Sequence, residues 1–372
     1  MQARHLPSVV IVGAGPAGLA AAHELAASGA ARVTLVQRGG GALYQPGILP
    51  AIIGARPVSA FRRNILIEGI TVRVGEALTL DDGFVLVDDG CVLRADAIIA
   101  APGLWTDASV LPRGPRTFPV WELDAAHMAL PAVRRWSGGR LIVAISSLPY
   151  RCPPAPYGLA MTLHHLARQR GVSGEVLLVT PEDAPLRALG EHVTRFLVEA
   201  LREAGVELVT GFHPDFSAST DGALVAEDGR ALTYELGLFV PPHRRPAILG
   251  GLPGDGPLVP VDGQQMAAER LWLAGDVVAS SLPRAAGVAE AQGRTAARSV
   301  LAALGLAAPA PPVIPAPSCY VWITPEQAAR IQVRFPRGLP PEGAPEVTIE
   351  PPSASLMAES LAARDQWERQ LS

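Results

Sequence analysis

A glycine-rich turn between a strand pattern and a helix pattern is the feature of this chain that most constrains its fold. Ser8–Val12 is a short run rich in valine and isoleucine, and residues 19–27 are helix formers that stop at Gly29. The turn between them reads Gly13-Ala14-Gly15-Pro16-Ala17-Gly18. Glycines at these three positions allow a tight turn, the approach of a pyrophosphate and close packing of helix on strand. The sequence therefore predicts a Rossmann-like unit whose helix N-terminus binds a dinucleotide.

The strand after this helix completes the unit and ends in a residue that is a candidate to contact the ribose of the dinucleotide. Residues 32–36 supply the strand, and Gln37 stands at its end, where this fold usually places an acid for the adenosine ribose. A glutamine can hydrogen-bond a ribose hydroxyl, although less strongly than a carboxylate. The candidate cofactor-binding residues of the unit are Gly13, Gly15, Pro16, Ala17, Gly18, Gln37 and Arg38.

The chain repeats this pattern in its second half. A hairpin signal at 88–90 leads to an apolar strand at 96–101, and another at 227–229 leads to a similar strand at 236–240. The opening strand also recurs, at 141–145. The sequence thus predicts a duplicated dinucleotide-type fold.

The second copy lacks the glycine turn of the first. Ile145, Ser147 and Tyr150 stand at the positions of the three glycines, and Thr180 stands at the end of the second strand. This loss disfavours electron uptake from NADH or NADPH, while a divergent nucleotide loop remains an alternative. The loop that replaces the glycine turn contains Cys152, at the mouth of the former nucleotide site.

Composition excludes several other classes of protein. At about 100–200 residues per domain, 372 residues predict two or three domains. The net charge of -4 argues against non-specific nucleic-acid binding, and a hydrophobic content of 49% argues against disorder. The three cysteines lack the spacing of a metal site. Because no membrane-spanning run and no signal-peptide pattern is present, we expect a cytoplasmic protein, or a periplasmic one if the chain is a trimmed form.

A third strand pattern at 271–274 ends in Gly-Asp and is followed by a helix pattern that runs to about Ala303. This arrangement is similar to a motif of flavoproteins with two dinucleotide-binding domains. The resemblance implies that Asp276 binds the ribityl chain of FAD and that the helix N-terminus faces the flavin ring. A buried aspartate that caps the helix is the alternative. The further FAD-binding residues are expected to be Pro102, Gly103, Gly275, Asp276, Gly287 and Val288.

Two cysteine-containing segments make the resemblance more specific. Arg-Cys-Pro-Pro-Ala-Pro-Tyr at 151–157 and Pro-Ser-Cys-Tyr at 317–320 resemble the flavoprotein subunit of flavocytochrome c sulfide dehydrogenase, a relative of the sulfide:quinone oxidoreductases. The resemblance spans about 9–335. It implies an α/β fold with two Rossmann-like dinucleotide-binding domains and a small α+β C-terminal domain. It also implies a redox-active disulfide between Cys152 and Cys319, which are the candidate catalytic residues.

Departures from that family refine the expectation. The stretch at 43–47 lacks the cysteine that bonds flavin covalently, so we expect non-covalent FAD. Residues 104–112 lack the third catalytic cysteine of many quinone reductases. The expected organisation is an FAD-binding domain at 1–110 and 243–306, a second Rossmann-like domain at 111–242, a proline-rich linker at 307–318 and a C-terminal interface domain at 319–372.

The resemblance implies a flavin-dependent sulfide dehydrogenase. Hydrosulfide would attack the disulfide, sulfur would leave as polysulfide, and electrons would pass through FAD to a c-type cytochrome or a quinone. Two alternatives stay open. One is an NAD(P)H dehydrogenase or disulfide reductase with a divergent second site, and the other is a non-catalytic flavoprotein fold that binds a partner or carries sulfur.

Local sequence adds expectations for individual side chains. Cys152 follows Arg151 and precedes a helix that begins near Pro156, and both features predict a stabilised thiolate. Cys91 sits in a hairpin pattern and is interpreted as structural. Glu290 is a weak candidate for the acid-base residue.

Overall fold

Two parallel sheets carry the candidate site. The computed structural model describes residues 6–39, 41–340, 343 and 345–372. Within these ranges, the strands of the first sheet lie in the order Met266–Ala268, Leu271–Leu273, Ala97–Ala100, Ser8–Val12, Arg32–Gln37 and Ile70–Val74. Val9 lies opposite Val33 on one side and Ala97 on the other. The strand Ala97–Ala100 is buried throughout, as expected for a parallel strand covered on both faces.

The second sheet repeats the arrangement of the first. Its described strands lie in the order Thr117–Pro119, Leu236–Val240, Gly139–Ile145, Gly174–Val179 and Glu207–Val209, all parallel. In both sheets the opening strand pairs with the strand that follows it across a helix and with the strand that follows a hairpin. The predicted duplication is therefore present.

Smaller strands complete the two domains. The hairpin strands are Ala77–Asp81, Phe84–Val87 and Val92–Arg94 in the first domain, and Ala223–Val225 with Ala231–Thr233 in the second. Two short pairs are Ala42–Leu43 with Arg62–Arg63, and Trp105–Thr106 with His243–Arg244. The second of these pairs joins the chain segments that cross between the two sheets.

The helices flank the sheets. The described α-helices are Pro16–Ser28, Ile48–Ile52, Leu123–Arg135, Ala155–Gln169, Glu191–Ala204, Ala286–Ala303 and Ala354–Arg369. The first helix begins at Pro16, earlier than the predicted residue 19, because the fixed φ of proline suits a first turn. It packs closely on Ala286–Ala303, since a Cβ at Gly293 would lie 2.0 Å from the Ala17 carbonyl oxygen. Among the described residues no helix is long and apolar enough to cross a membrane.

The C-terminal part adds an antiparallel sheet of Ser318–Thr324, Gln327–Arg334 and Glu346–Ser353, followed by the last helix. The backbone of its first strand packs on the second domain, because a Cβ at Gly158 would lie 3.0 Å from the Trp322 nitrogen. Leu356 and Met357 of the last helix enter the core of the second domain, whereas Trp367 enters that of the first. The predicted fold class is confirmed, and the domain boundaries stay a prediction.

Candidate functional site

The glycine turn forms a cradle with one open side. Gly13 has a φ of +98°, and a Cβ there would lie 2.3 Å from the Ala101 carbonyl oxygen. A Cβ at Gly18 would lie 1.8 Å from the Gly13 oxygen, so no side chain fits at either position. At Gly15, by contrast, no described atom lies within 4 Å of a built Cβ. The turn is thus closed towards the sheet and open at the N-terminus of the first helix, as a pyrophosphate requires.

Gln37 shapes this turn from the end of the second strand. Its Oε1 accepts a hydrogen bond from the Ala14 N–H at 2.8 Å, and its Nε2 donates to the Arg38 carbonyl at 2.8 Å. The guanidinium of Arg38 lies 4.9 Å from the ring centroid of Trp105 and 3.8 Å from Glu76. The predicted ribose contact of Gln37 stays a prediction, since its amide already holds the main chain of the turn.

Asp276 presents a free carboxylate beside the first sheet. It follows Gly275, whose N–H donates to the Oε1 of buried Gln292 at 2.9 Å. No described residue donates a hydrogen bond to the Asp276 carboxylate. Burial raises the pKa of Asp276, and the charges of Arg151 and Arg284 oppose that rise. Sequence reasoning missed Gln292. The only clue to it in the sequence is that a polar side chain occurs within an alanine-rich helix.

The remaining predicted cofactor residues lie on two other segments. Gly103 has a φ of +69°, and no described atom outside its chain neighbours lies within 4 Å of a built Cβ. Gly287 is in close contact with Pro317, whose Cα would lie 3.2 Å from a Cβ there. The side chain of Val288 is buried in a cluster with Phe335, so it belongs to the packing of the protein. The open cradle and the unpartnered Asp276 carboxylate fit FAD.

The Cys152 loop occupies the position of the second glycine turn. It follows the strand Gly139–Ile145, and Cys152 has a φ of +55°, which is unusual for a residue with a side chain. The Cys152 N–H donates to the Arg284 carbonyl at 2.9 Å, and its own carbonyl accepts from the Ala155 N–H at 3.0 Å. The second domain therefore holds its cysteine against the turn that precedes the Ala286–Ala303 helix of the first domain.

Arg151 fixes the same loop through its charge. Its guanidinium donates to the carbonyls of Leu104 at 3.2 Å and Trp121 at 2.5 Å, and it pairs with Glu122 at 2.8 Å. In return, the indole N–H of Trp121 donates to the Arg151 carbonyl at 2.9 Å. These partners were not evident from the sequence, because they lie 29 to 47 positions away.

His243 is a neutral side chain that contacts the main chain of Arg151. Its Nδ1 lies 3.0 Å from the Pro241 carbonyl, and its Nε2 accepts from the Arg151 N–H at 3.4 Å. Burial and the charge of Arg151 lower the pKa of His243 to about 3. With both ring nitrogens bonded to main chain, this histidine positions the loop.

The two candidate catalytic cysteines are free thiols, and both are partly buried. Burial, with a contribution from Asp276, raises the pKa of Cys152 to about 11, and Arg151 opposes the rise. Burial and the nearby Cys152 raise the pKa of Cys319 to about 12. The predicted stabilised thiolate at Cys152 is therefore wrong, because burial outweighs the guanidinium, which pairs with Glu122. The fold nevertheless brings these distant thiols within electrostatic range of each other.

A cluster of buried hydroxyls surrounds Glu182 near the end of the second strand of the second domain. The Glu182 carboxylate accepts hydrogen bonds from the hydroxyls of Tyr157 at 2.5 Å, Tyr150 at 3.2 Å and Thr180 at 3.0 Å. Tyr157 is fully buried and Tyr150 is 4% exposed. Sequence reasoning placed Tyr150 at the position of the third glycine and Thr180 at the end of the second strand, but missed Glu182.

The other candidates lie elsewhere. Cys91 lies in the turn between two hairpin strands, where its N–H donates to Asp89 at 3.0 Å. The Glu290 side chain is hydrogen-bonded to Gln370 near the end of the last helix, and burial raises its pKa. Across the described ranges, no group of three or more histidine, cysteine or acidic side chains could hold a metal ion.

The fold has two Rossmann-like domains, and the first carries an open glycine cradle that fits a dinucleotide. Residues 7–119 match the family model of the pyridine nucleotide-disulphide oxidoreductases. That match supports an oxidoreductase of this flavoprotein type. The matched segment includes the glycine turn and excludes both cysteine-containing segments, 151–157 and 317–320.

Solved structures share the whole architecture. The sulfide:quinone oxidoreductase from the hyperthermophilic bacterium Aquifex aeolicus superposes with a TM-score of 0.84 at 14% identity, covering 98% of this chain and 91% of that one. An NAD-dependent persulfide reductase from A. fulgidus gives a TM-score of 0.67 at 19% identity, covering 88% of this chain and 64% of that one. At these identities the likeness concerns the fold alone.

Sequence comparison also finds similar proteins of known function. The ferredoxin reductase component of chlorobenzene dioxygenase from Cupriavidus sp. (strain PS12) is 27% identical over 286 residues, which are 72% of this chain. This chain spans 66% of that relative's length, slightly less than two thirds.

Proposed function

We propose that the protein is an FAD-dependent sulfide dehydrogenase that oxidises sulfide to sulfur or polysulfide through a Cys152–Cys319 disulfide. The observation that carries the proposal is the placement of Cys152, which replaces a nucleotide turn and is hydrogen-bonded to the Arg284 turn beside the FAD site. Cys319 reaches the same region from a separate strand. The similarity of fold to a sulfide:quinone oxidoreductase supports this substrate class.

The two thiols perform the sulfur chemistry. Hydrosulfide attacks the Cys152 sulfur of the disulfide, which leaves a persulfide on Cys152 and releases Cys319 as a thiolate. Because the pKa of Cys319 is raised to about 12, the released sulfur takes up a proton at neutral pH and becomes a thiol. A second hydrosulfide removes the outer sulfur from Cys152 as polysulfide, which leaves Cys152 and Cys319 as a dithiol. FAD, when bound, would accept the two electrons released when this dithiol re-forms the disulfide, and a c-type cytochrome or a quinone would take them from FAD.

The residues of the cradle would hold FAD without a covalent bond. The open side at Gly15 suits the pyrophosphate, and Asp276 suits the ribityl hydroxyls because its carboxylate has no partner among the described residues. The 43–47 stretch offers tyrosine and glutamine where a flavin-bonding cysteine would stand. Precipitation with acid should therefore release the flavin into solution.

The rival is an NAD(P)H-dependent reductase, the class named for the A. fulgidus structure. The loss of the second glycine turn argues against it, because Tyr150, which is hydrogen-bonded to Glu182, stands at the position of the third glycine.

Anaerobic mixing of the purified holoprotein with sulfide, NADH or NADPH separates the two functions. We expect sulfide to bleach the flavin absorbance and both nucleotides to leave it unchanged. The variant Cys152→Ser should retain FAD and lose the response to sulfide, whereas Cys91→Ser serves as the matched control and should behave as the parent. Bleaching by a nucleotide with no response to sulfide would establish the reductase instead.

A further inference from the structure

Glu182 receives more hydrogen bonds than an exposed surface carboxylate needs. Three hydroxyls, from Tyr150, Tyr157 and Thr180, donate to its Oε2, and the Leu186 N–H donates to Oε1 at 3.1 Å. Thr180 also receives the Glu182 N–H at 3.2 Å, which fixes the carboxylate over the end of the strand Gly174–Val179. Each carboxylate oxygen offers about two lone-pair sites, so the three hydroxyls share Oε2 and the Leu186 N–H has Oε1.

Both tyrosines of this cluster lie in the chain that carries the thiol. Tyr150 comes two residues before Cys152, and Tyr157 comes five residues after it, in the first turn of the Ala155–Gln169 helix. The Tyr150 hydroxyl also lies 3.1 Å from the Pro153 carbonyl within the loop. The Glu182 carboxylate therefore ties together the two ends of the cysteine loop.

The loop needs such an anchor because Cys152 has a positive φ. This conformation is unfavourable for a residue with a side chain and persists only where the surroundings hold it. The first domain holds one side, through the Arg284 carbonyl, which accepts from the Cys152 N–H, and the Leu104 carbonyl, which accepts from Arg151. On the other side, the described anchors are the tyrosine hydroxyls, which depend on Glu182.

We propose that Glu182 is a positioning residue for Cys152, acting through the buried hydroxyls of Tyr150 and Tyr157. The proposal rests on the proposed function only in assigning chemistry to Cys152. A glutamine at 182 has one acceptor oxygen where the carboxylate has two, and its NH₂ group would face hydroxyl donors. The loop then loses an anchor and samples a wider range of conformations.

The test compares Glu182→Gln and Tyr157→Phe with two matched controls. Tyr234→Phe removes a buried hydroxyl of the same domain, bonded to Thr117 at 2.7 Å and away from the loop, and Glu227→Gln neutralises an exposed glutamate. Tyr157→Phe covers the case in which Glu182→Gln fails to fold. In each holoprotein, peptide mass spectrometry measures the alkylation rate of reduced Cys152, and glutathione buffers measure the Cys152–Cys319 dithiol–disulfide equilibrium.

We expect Glu182→Gln and Tyr157→Phe to speed Cys152 alkylation by about tenfold, the factor for a lost hydrogen bond of about 1.4 kcal/mol. The equilibrium should shift towards the dithiol by a similar factor, because a looser loop makes ring closure less favourable. The alkylation rate of Cys91 and both readouts of the controls should stay unchanged. Equal values in Glu182→Gln, Tyr157→Phe and the controls would overturn the proposal. If the parent forms no disulfide, the sulfide mechanism fails, and the alkylation rates still decide the role of Glu182.

Discussion

Arg151 offers the sharpest test of how the loop is held, because its side chain links three segments of the chain and is only 14% exposed. Replacement by methionine keeps the aliphatic stem and removes the guanidinium. Two hydrogen bonds from this charged group, to the carbonyls of Leu104 and Trp121, are lost at about 1.5 kcal/mol each. The half-exposed Glu122 adds little. We therefore expect the free energy of unfolding to fall by about 3 kcal/mol.

Urea unfolding followed by tryptophan fluorescence measures this loss. Arg140→Met is the matched control, because Arg140 pairs with Glu175 at 3.0 Å on the surface of the second sheet and Glu175 is 65% exposed. That control should cost less than about 1 kcal/mol. If Arg151→Met and Arg140→Met lose the same free energy, the interdomain role assigned to Arg151 is refuted.

Three further predictions follow from the same site. The pKa of His243 is about 3 in the folded protein and about 6.5 in the unfolded chain, so the stability that this histidine contributes is complete above pH 6.5 and is lost as the pH falls. The free energy of unfolding should therefore fall by about 2 kcal/mol from pH 6.5 to 5, and His243→Asn should flatten the pH dependence of that free energy over this interval. Asp276→Asn removes a charge that raises the pKa of Cys152, so the pH profile of Cys152 alkylation should move to lower pH, and an upward shift would contradict the assignment. Gly15→Val fills the open side of the cradle, so flavin fluorescence should show loss of bound FAD, while the melting temperature should match that of the parent apoprotein.

Features set by local pattern could be predicted from the sequence. The glycine turn, the hairpins and the opening strands depend on neighbouring residues, and the structure contains each of them. The break in the second glycine turn was equally visible, because the two copies can be compared position by position. Tyr150 was recognised at the position of the third glycine, although its partner Glu182 was not identified.

Contacts between distant segments could not be predicted in this way. Gln292 reaches Gly275 across a helix, and Glu182 reaches Tyr150 across a strand, so neither pair has a spacing that a pattern would reveal. The sign of the Cys152 pKa shift was missed for a related reason. The charge of Arg151 does lower the pKa of Cys152, but burial of the thiol, which the sequence does not reveal, outweighs it.

The Glu182 cluster gives the second domain a means of holding a thiol at the position of a glycine turn. Glu182 receives donors from four residues, and two of them, Tyr150 and Tyr157, flank Cys152 in the chain. Removal of either hydroxyl therefore loosens the loop without changing the thiol itself. Under the proposed function, the second domain thus contributes a cysteine to the site where a second glycine turn would contribute a nucleotide.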